Sequence, residues 1–235
     1  MSTRSSPRRP QAVACALLTL LTASAAQAHD VSGTAALTSD YVWRGTSQSN
    51  ERPAVQAGAK LAGESGLYAQ VWASSVEFAA DAQASSEFDL VAGWSGALSD
   101  AWALDVNLTH YRYPGTTVDL DWTEANATLT LQDRYWLQIG HSNDALASGA
   151  QGTYAQLGTR MPLGDTVRLE AAAGHYRLDT ATGDNDYTHW QLGAVWAFAA
   201  PFELRVTAHD TDADAQRVFG PWAVARVEAA LQATF

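Results

Sequence analysis

Trp222-Ala223-Val224-Ala225-Arg226-Val227-Glu228-Ala229-Ala230-Leu231-Gln232-Ala233-Thr234-Phe235 closes the chain and decides how the rest is read. Taken alternately, Ala223, Ala225, Val227, Ala229, Leu231, Ala233 and Phe235 form an apolar face. Between them fall Trp222, Val224, Arg226, Glu228, Ala230, Gln232 and Thr234, a mixed set with two charges. Period-two alternation over this length reads as a β-strand whose faces meet different surroundings.

Working outward, the same alternation predicts strands over 31–44, 53–62, 67–76, 86–98, 101–113, 121–131, 134–142, 152–163, 166–177, 187–197, 202–210 and 222–235. No stretch shows a helical period. Short connections (63–66, 99–100, 132–133, around Gly164-Asp165, and 198–201) alternate with longer polar loops at 45–52, 77–85, 114–120, 143–151, 178–186 and 211–221. An up-and-down barrel with turns at one end and loops at the other makes this pattern; Greek-key crossovers would break it. The expectation is an all-β fold, a transmembrane up-and-down antiparallel β-barrel of about 12 strands, each near the ~9–11 residues a tilted spanning strand needs. Alternation alone does not say which face points inward, and a soluble ligand-binding barrel would hide the apolar one. Aromatics on that face gather at the turn ends (Trp94, Trp102, Tyr135, Trp196, Phe202 and Phe235). Their amphipathic rings suit a membrane interface, which favours the apolar face outward.

The beginning of the chain is of a different kind. Arg4, Arg8 and Arg9 precede the apolar run 12–21, and Ala26-Gln27-Ala28 supplies a cleavage site, so residues 1–28 read as a signal peptide and 29–235 as the barrel domain. The one cysteine, Cys15, lies in the removed segment and leaves the exported chain without disulfides or thiolate metal ligands. The longest nearly apolar run afterwards, 192–202, contains Gly193 and Pro201 and falls short of the ~20 residues of a membrane helix. A net charge of −11, deepened when the three leader arginines leave, argues against nucleic-acid binding.

Ser39-Asp40-Tyr41-Val42-Trp43-Arg44-Gly45-Thr46-Ser47-Gln48-Ser49 resembles the opening signature of the TorF family, porin-like outer-membrane proteins of proteobacteria. Pro53-Ala54-Val55-Gln56, Gly66-Leu67-Tyr68-Ala69 and Trp72-Ala73-Ser74 fit the same pattern. The resemblance covers about the first fifth of residues 29–235; it implies a bacterial outer-membrane barrel, suggests a pore, and brings no catalytic residues. The terminal strand likewise resembles the closing strand of such barrels, whose final aromatic, here Phe235, is read by the barrel assembly machinery.

The expected function is a porin-like channel for passive diffusion of small polar solutes or ions, in contact with outer-membrane lipid and lipopolysaccharide. With the polar face inward, Arg44, Lys60, Glu87, Asp89, Asp105, Glu124, Arg160, Arg168, Glu170, Glu203, Arg205, Arg226 and Glu228 line the lumen. Mixed signs permit either a transverse field for polar solutes or a salt-bridged plug. Loop acids such as Glu77, Asp81, Asp119, Asp144, Asp212 and Asp214 would favour cations at the mouth, or simply keep the loops soluble. His110, His141 and His175 end three strands on the lipid-facing parity. His189 and His209 share the lumen parity near the loop end and carry the alternative of a rim hydrolase; without an oriented base and nucleophile the chain reads as no enzyme. A plugged structural or adhesin-like barrel is the third reading. Asp184-Asn185-Asp186 lacks the rest of a calcium loop, so neither metal nor cofactor is expected.

Overall fold

The computed structural model describes residues 29–78, 82–180 and 183–235. The expected signal peptide, 1–28, and the loop acid Asp81 lie outside them. Twelve long strands form one closed antiparallel barrel. In order they are β1 (His29–Thr38), β2 (Ala54–Gly63), β3 (Leu67–Ser75), β4 (Ser86–Ala97), β5 (Trp102–Arg112) and β6 (Trp122–Leu131). The second half comprises β7 (Tyr135–Ser142), β8 (Gly152–Pro162), β9 (Val167–Thr180), β10 (Tyr187–Ala199), β11 (Phe202–Thr211) and β12 (Arg226–Thr234). Each strand pairs with its neighbours in sequence, and β1 closes the ring on β12 through Thr34 opposite Thr234 and Thr38 opposite Ala230. Gly33 N–H donates to Phe235 O at 2.6 Å, so the last residue is part of the seam. Among the described residues no helix is long and apolar enough to cross a membrane.

The direction of the faces follows from burial. Val31, Val55, Leu157, Leu192 and Val227 are all more than half exposed on the outside, whereas Glu87, Glu124, Tyr154 and Tyr176 are buried within. Such a continuous apolar belt has no solvent in water that would stabilise it; lipid is the environment it fits. Trp102, Tyr135, Trp196, Phe202 and Phe235 are exposed around the short-turn end, and half-buried Trp94 donates from Nε1 to Ser65 O at 2.9 Å. Near the opposite end His110, His141 and His175 each share a hydrogen bond of 2.9–3.1 Å with the threonine across the strand pair, Thr123, Thr153 and Thr188.

Val206 sits mid-strand in β11 on the lipid face. Val206→Arg is expected to cost roughly 2–4 kcal/mol, read as a lower urea midpoint for the barrel folded in bilayers. An unchanged midpoint would contradict the outward direction of this face.

Three expectations are corrected. The first strand ends at Thr38 and not at Arg44, because Thr38 Oγ1 donates to Asp40 O and Glu228 Oε1, both at 2.7 Å, and the chain turns inward. The last strand begins at Arg226 and not at Trp222, since Gly220–Ala223 forms a helical turn. The loop before it carries α1 (Ala213–Phe219), where no helix was expected. Asp212 caps α1 by accepting from Ala215 N–H at 2.9 Å, Arg217 pairs with Asp214 at 2.7 Å, and Gly220 at φ 58° ends it. A helix this short has too few turns to leave a period in the sequence.

Candidate functional site

The signature segment 39–49 forms a hairpin folded into the barrel. Val42 pairs with Ser47 and Trp43 with Thr46. Arg44 (φ 48°) and Gly45 (φ 82°) make the two-residue turn, both in the left-handed region that such hairpins require. Gly45 is needed twice over, because a Cβ there would stand 2.6 Å from His189 Cβ and 2.8 Å from Thr211 Cγ2. The small polar residues of the segment stitch it together. Asp40 accepts from Ser47 Oγ at 2.6 Å, Ser49 Oγ at 2.9 Å and Arg226 at 3.0 Å. Thr46 Oγ1 donates to Trp43 O at 2.8 Å.

At the tip, the Arg44 guanidinium donates both arms to Glu124, at 2.9 and 2.7 Å. Its planar faces lie over the rings of Tyr154 at 3.8 Å, Trp43 at 4.2 Å and Tyr176 at 4.8 Å. A buried charge pair is tolerable only with such geometry and full hydrogen bonding, and the rings add cation–π attraction. Trp43 itself meets Tyr111, Trp122 and Tyr176 edge-on at about 6 Å. In the loop after β5, burial reinforced by Glu87 and Asp89 pushes the Tyr113 phenol above its ordinary range, so it stays neutral.

Trp43 divides the interior into two chambers. Toward the long loops lies an apolar one of about 300 Å³, lined among others by Phe78, Leu120, Leu146, Tyr187, Phe219 and Trp222. On the other side of the hairpin lies a polar one of about 450 Å³, walled by β3 to β8 and β10, and including Gln70, Asp89, Asn107, Gln138, Gln156 and Gln191. Trp43 borders both.

The charged residues expected in the lumen fall into separate groups. Arg44 and Glu124 are committed to each other. Arg226 pairs with Asp40 at 3.0 Å and Glu51 at 3.6 Å, and Glu228 accepts from Thr38 and lies 3.1 Å from His209 Nε2. Arg168, Glu170, Glu203 and Arg205 form a closed quartet with contacts of 2.7–3.0 Å. It bridges β9 and β11 across β10, where Val195 pairs with Arg168 on one side and with Arg205 on the other. Lys60 Nζ lies 3.7 Å over Tyr68, whose hydroxyl donates to Asp105 at 2.9 Å, and Arg160 lies 5.1 Å over Trp136. Glu87 and Asp89, side by side on β4, have no cation within ion-pair distance among the described residues, and Glu87 Oε2 and Asp89 Oδ1 have no hydrogen-bond partner.

His189 and His209 are buried at the level of the hairpin, not on the rim. His189 Nε2 shares a 2.8 Å hydrogen bond with Tyr154 OH, and His209 faces Glu228. Neither shares a hydrogen bond with a serine or threonine hydroxyl among the described residues, so the nucleophile–base constellation of a hydrolase is not assembled there. Among the described residues no three His, Cys, Asp or Glu side chains cluster to hold a metal. Sequence reasoning missed the aromatic wall and the uncharged amides; Arg44-Gly45 as a turn pair was the signal available for the hairpin.

A family model described as a bacterial protein of unknown function (Gcw_chp) matches residues 22–235. Among solved structures, the chain is similar to "KdgM porin" with a TM-score of 0.54 and 6% identity, covering 87% of this chain and 99% of that one. The same porin "in complex with disordered oligogalacturonate" gives 0.54 and 5%, over 88% and 99%. The NanC porin gives 0.54 and 8%, over 88% and 99%. At these identities the likeness is one of fold. No curated protein matches the chain.

Proposed function

The chain belongs to the Gcw_chp family of bacterial proteins, whose function is unknown, and we propose that it is a narrow outer-membrane channel for passive diffusion of small polar solutes or ions. One observation carries the reading: a closed, lipid-jacketed barrel encloses two chambers that meet at Trp43. Twelve strands place the lumen between eight-stranded barrels, filled by side chains, and sixteen-stranded ones with an aqueous channel. The inner hairpin narrows it further. The likeness of 39–49 to the TorF signature and the barrel shared with the KdgM and NanC porins support the same reading.

In this account residues 1–28 are removed on export and Phe235 is presented to the assembly machinery. The short turns face the periplasm, and the long loops meet lipopolysaccharide and the outside. Lys60, Asp105, Arg160 and Asp89 line the open path, Glu87 is buried beside Asp89, and Arg44, Glu124, Asp40 and Arg226 hold the constriction in place. The quartet of Arg168, Glu170, Glu203 and Arg205 presents balanced charge on the periplasmic side of the lumen. The chain acts as a conduit and not as an enzyme.

Osmotic re-swelling of proteoliposomes containing residues 29–235 tests the proposal. Urea and glycerol are expected to enter several-fold faster than into protein-free vesicles, and equal rates would overturn it.

A further inference from the structure

The polar chamber is walled by uncharged amides. Gln70, Asn107, Asn126, Gln138, Gln156 and Gln191 all border it. Two of the contacts are direct cross-strand pairs, Asn107 with Asn126 and Gln138 with Gln156, so the amides form a belt and not a scatter. Glycines on the inner face keep it open: a Cβ at Gly140 would stand 2.8 Å from both Asn126 Oδ1 and Glu124 Oε1.

Much of this hydrogen-bonding capacity is unspent. Gln156 Oε1 accepts from Trp136 Nε1 at 3.2 Å, and Asn107 donates to Asp105 at 2.8 Å and accepts from Thr109 at 3.1 Å. Gln70, Gln138 and Gln191 make no side-chain hydrogen bond among the described residues, and the buried Asn126 Oδ1 has no partner. Each amide offers two donors and a two-lone-pair acceptor. Gln70, Gln138 and Gln191 are half-exposed to the lumen, so a solute with matching donors and acceptors replaces the water they would otherwise meet. The rings of Trp43, Tyr68, Tyr111 and Tyr154 border the same space.

Charge points the same way. Arg44, Arg168, Arg205 and Arg226 are each held by carboxylates at 3.0 Å or closer, and Lys60 and Arg160, which lie over Tyr68 and Trp136, do not line the chamber. Asp89 lines the chamber, and among the described residues it has no cation partner.

We propose that the chamber between the hairpin and the short-turn end is a binding site for neutral, hydroxyl-rich solutes of monosaccharide size, and that it discriminates against their acidic counterparts. Vicinal hydroxyls both donate and accept, as carboxamides do, and the C–H face of a pyranose ring packs on aromatic rings. A volume of about 450 Å³ lies within the ~300–1,000 Å³ of small-molecule sites. The inference rests on the channel reading for its transport arm, and its binding arm stands apart from it.

Two measurements separate the arms. In proteoliposome swelling, glucose is expected to enter at least several-fold faster than glucuronate, and Gln138→Leu with Gln191→Leu to slow glucose several-fold and by a larger factor than urea. Equal rates for glucose and glucuronate, or glucose entry unaffected by the leucines, would overturn the proposal. In detergent, titrating glucose is expected to give a saturable change in tryptophan fluorescence that the leucine variant loses and glucuronate does not produce. A barrel that passes no solute, urea included, yet shows this saturable change sinks the channel reading and sustains the site. No saturable change overturns the site whatever the vesicles do.

Discussion

Trp43→Ala is expected to raise single-channel conductance several-fold. Trp43 borders both chambers, and removing its indole widens the passage between them. The rest of the hairpin keeps its own supports: Asp40 to Ser47 and Ser49, the ladder from Val42 to Ser47, and the Arg44–Glu124 pair. The substitution also removes edge contacts with Tyr111, Trp122 and Tyr176, so stability falls by an amount toward the ~3–5 kcal/mol of large aromatic truncations. Retained heat-modifiable mobility on gels would establish that the variant is folded before it is recorded. Folded Trp43→Ala channels with wild-type conductance would show that the constriction lies elsewhere.

Arg44→Met is expected to lower stability by about 3–5 kcal/mol, the usual cost of stranding a buried charge. Glu124 has no exposed side-chain surface, and without the guanidinium its carboxylate keeps, among the described residues, only the long 3.4 Å hydrogen bond from Tyr111 OH. The double variant Arg44→Met with Glu124→Gln removes both charges and is expected to recover most of the loss. A double-mutant cycle on the denaturant midpoint of the folded barrel isolates that coupling. Additive losses would mean that the pair is not coupled and that the hairpin is held by its other bonds.

The barrel was legible because each strand repeats the same two-faced pattern, and a one-residue slip would turn a charge such as Arg226 or Glu228 into lipid. The hairpin was not, and the reason is specific. Tyr41 and Trp43 continue the apolar parity of Val31 and Leu37, so alternation reads straight through the turn at Ser39-Asp40. What bends the chain inward is contact with distant partners, Asp40 with Arg226 and Arg44 with Glu124, and local periodicity holds no trace of them. The inner face was read through its charges, several of which are spent on one another in the quartet and the hairpin anchors. Gln70, Gln138 and Gln191 stood on the same parity, but an isolated amide in a strand carries no sequence signal of its own. His189 and His209 had the right face and the wrong depth, because the hairpin turn packs on His189 and His209 is buried against Glu228.

The central claim, that the lumen is a continuous narrow path through a lipid-spanning barrel, is tested most directly by planar-bilayer recording of refolded residues 29–235 without substitutions. Discrete conductance steps are expected, small for a porin and growing with salt concentration. A folded barrel that stays silent across voltages and salts would contradict it and leave the hairpin as a plug.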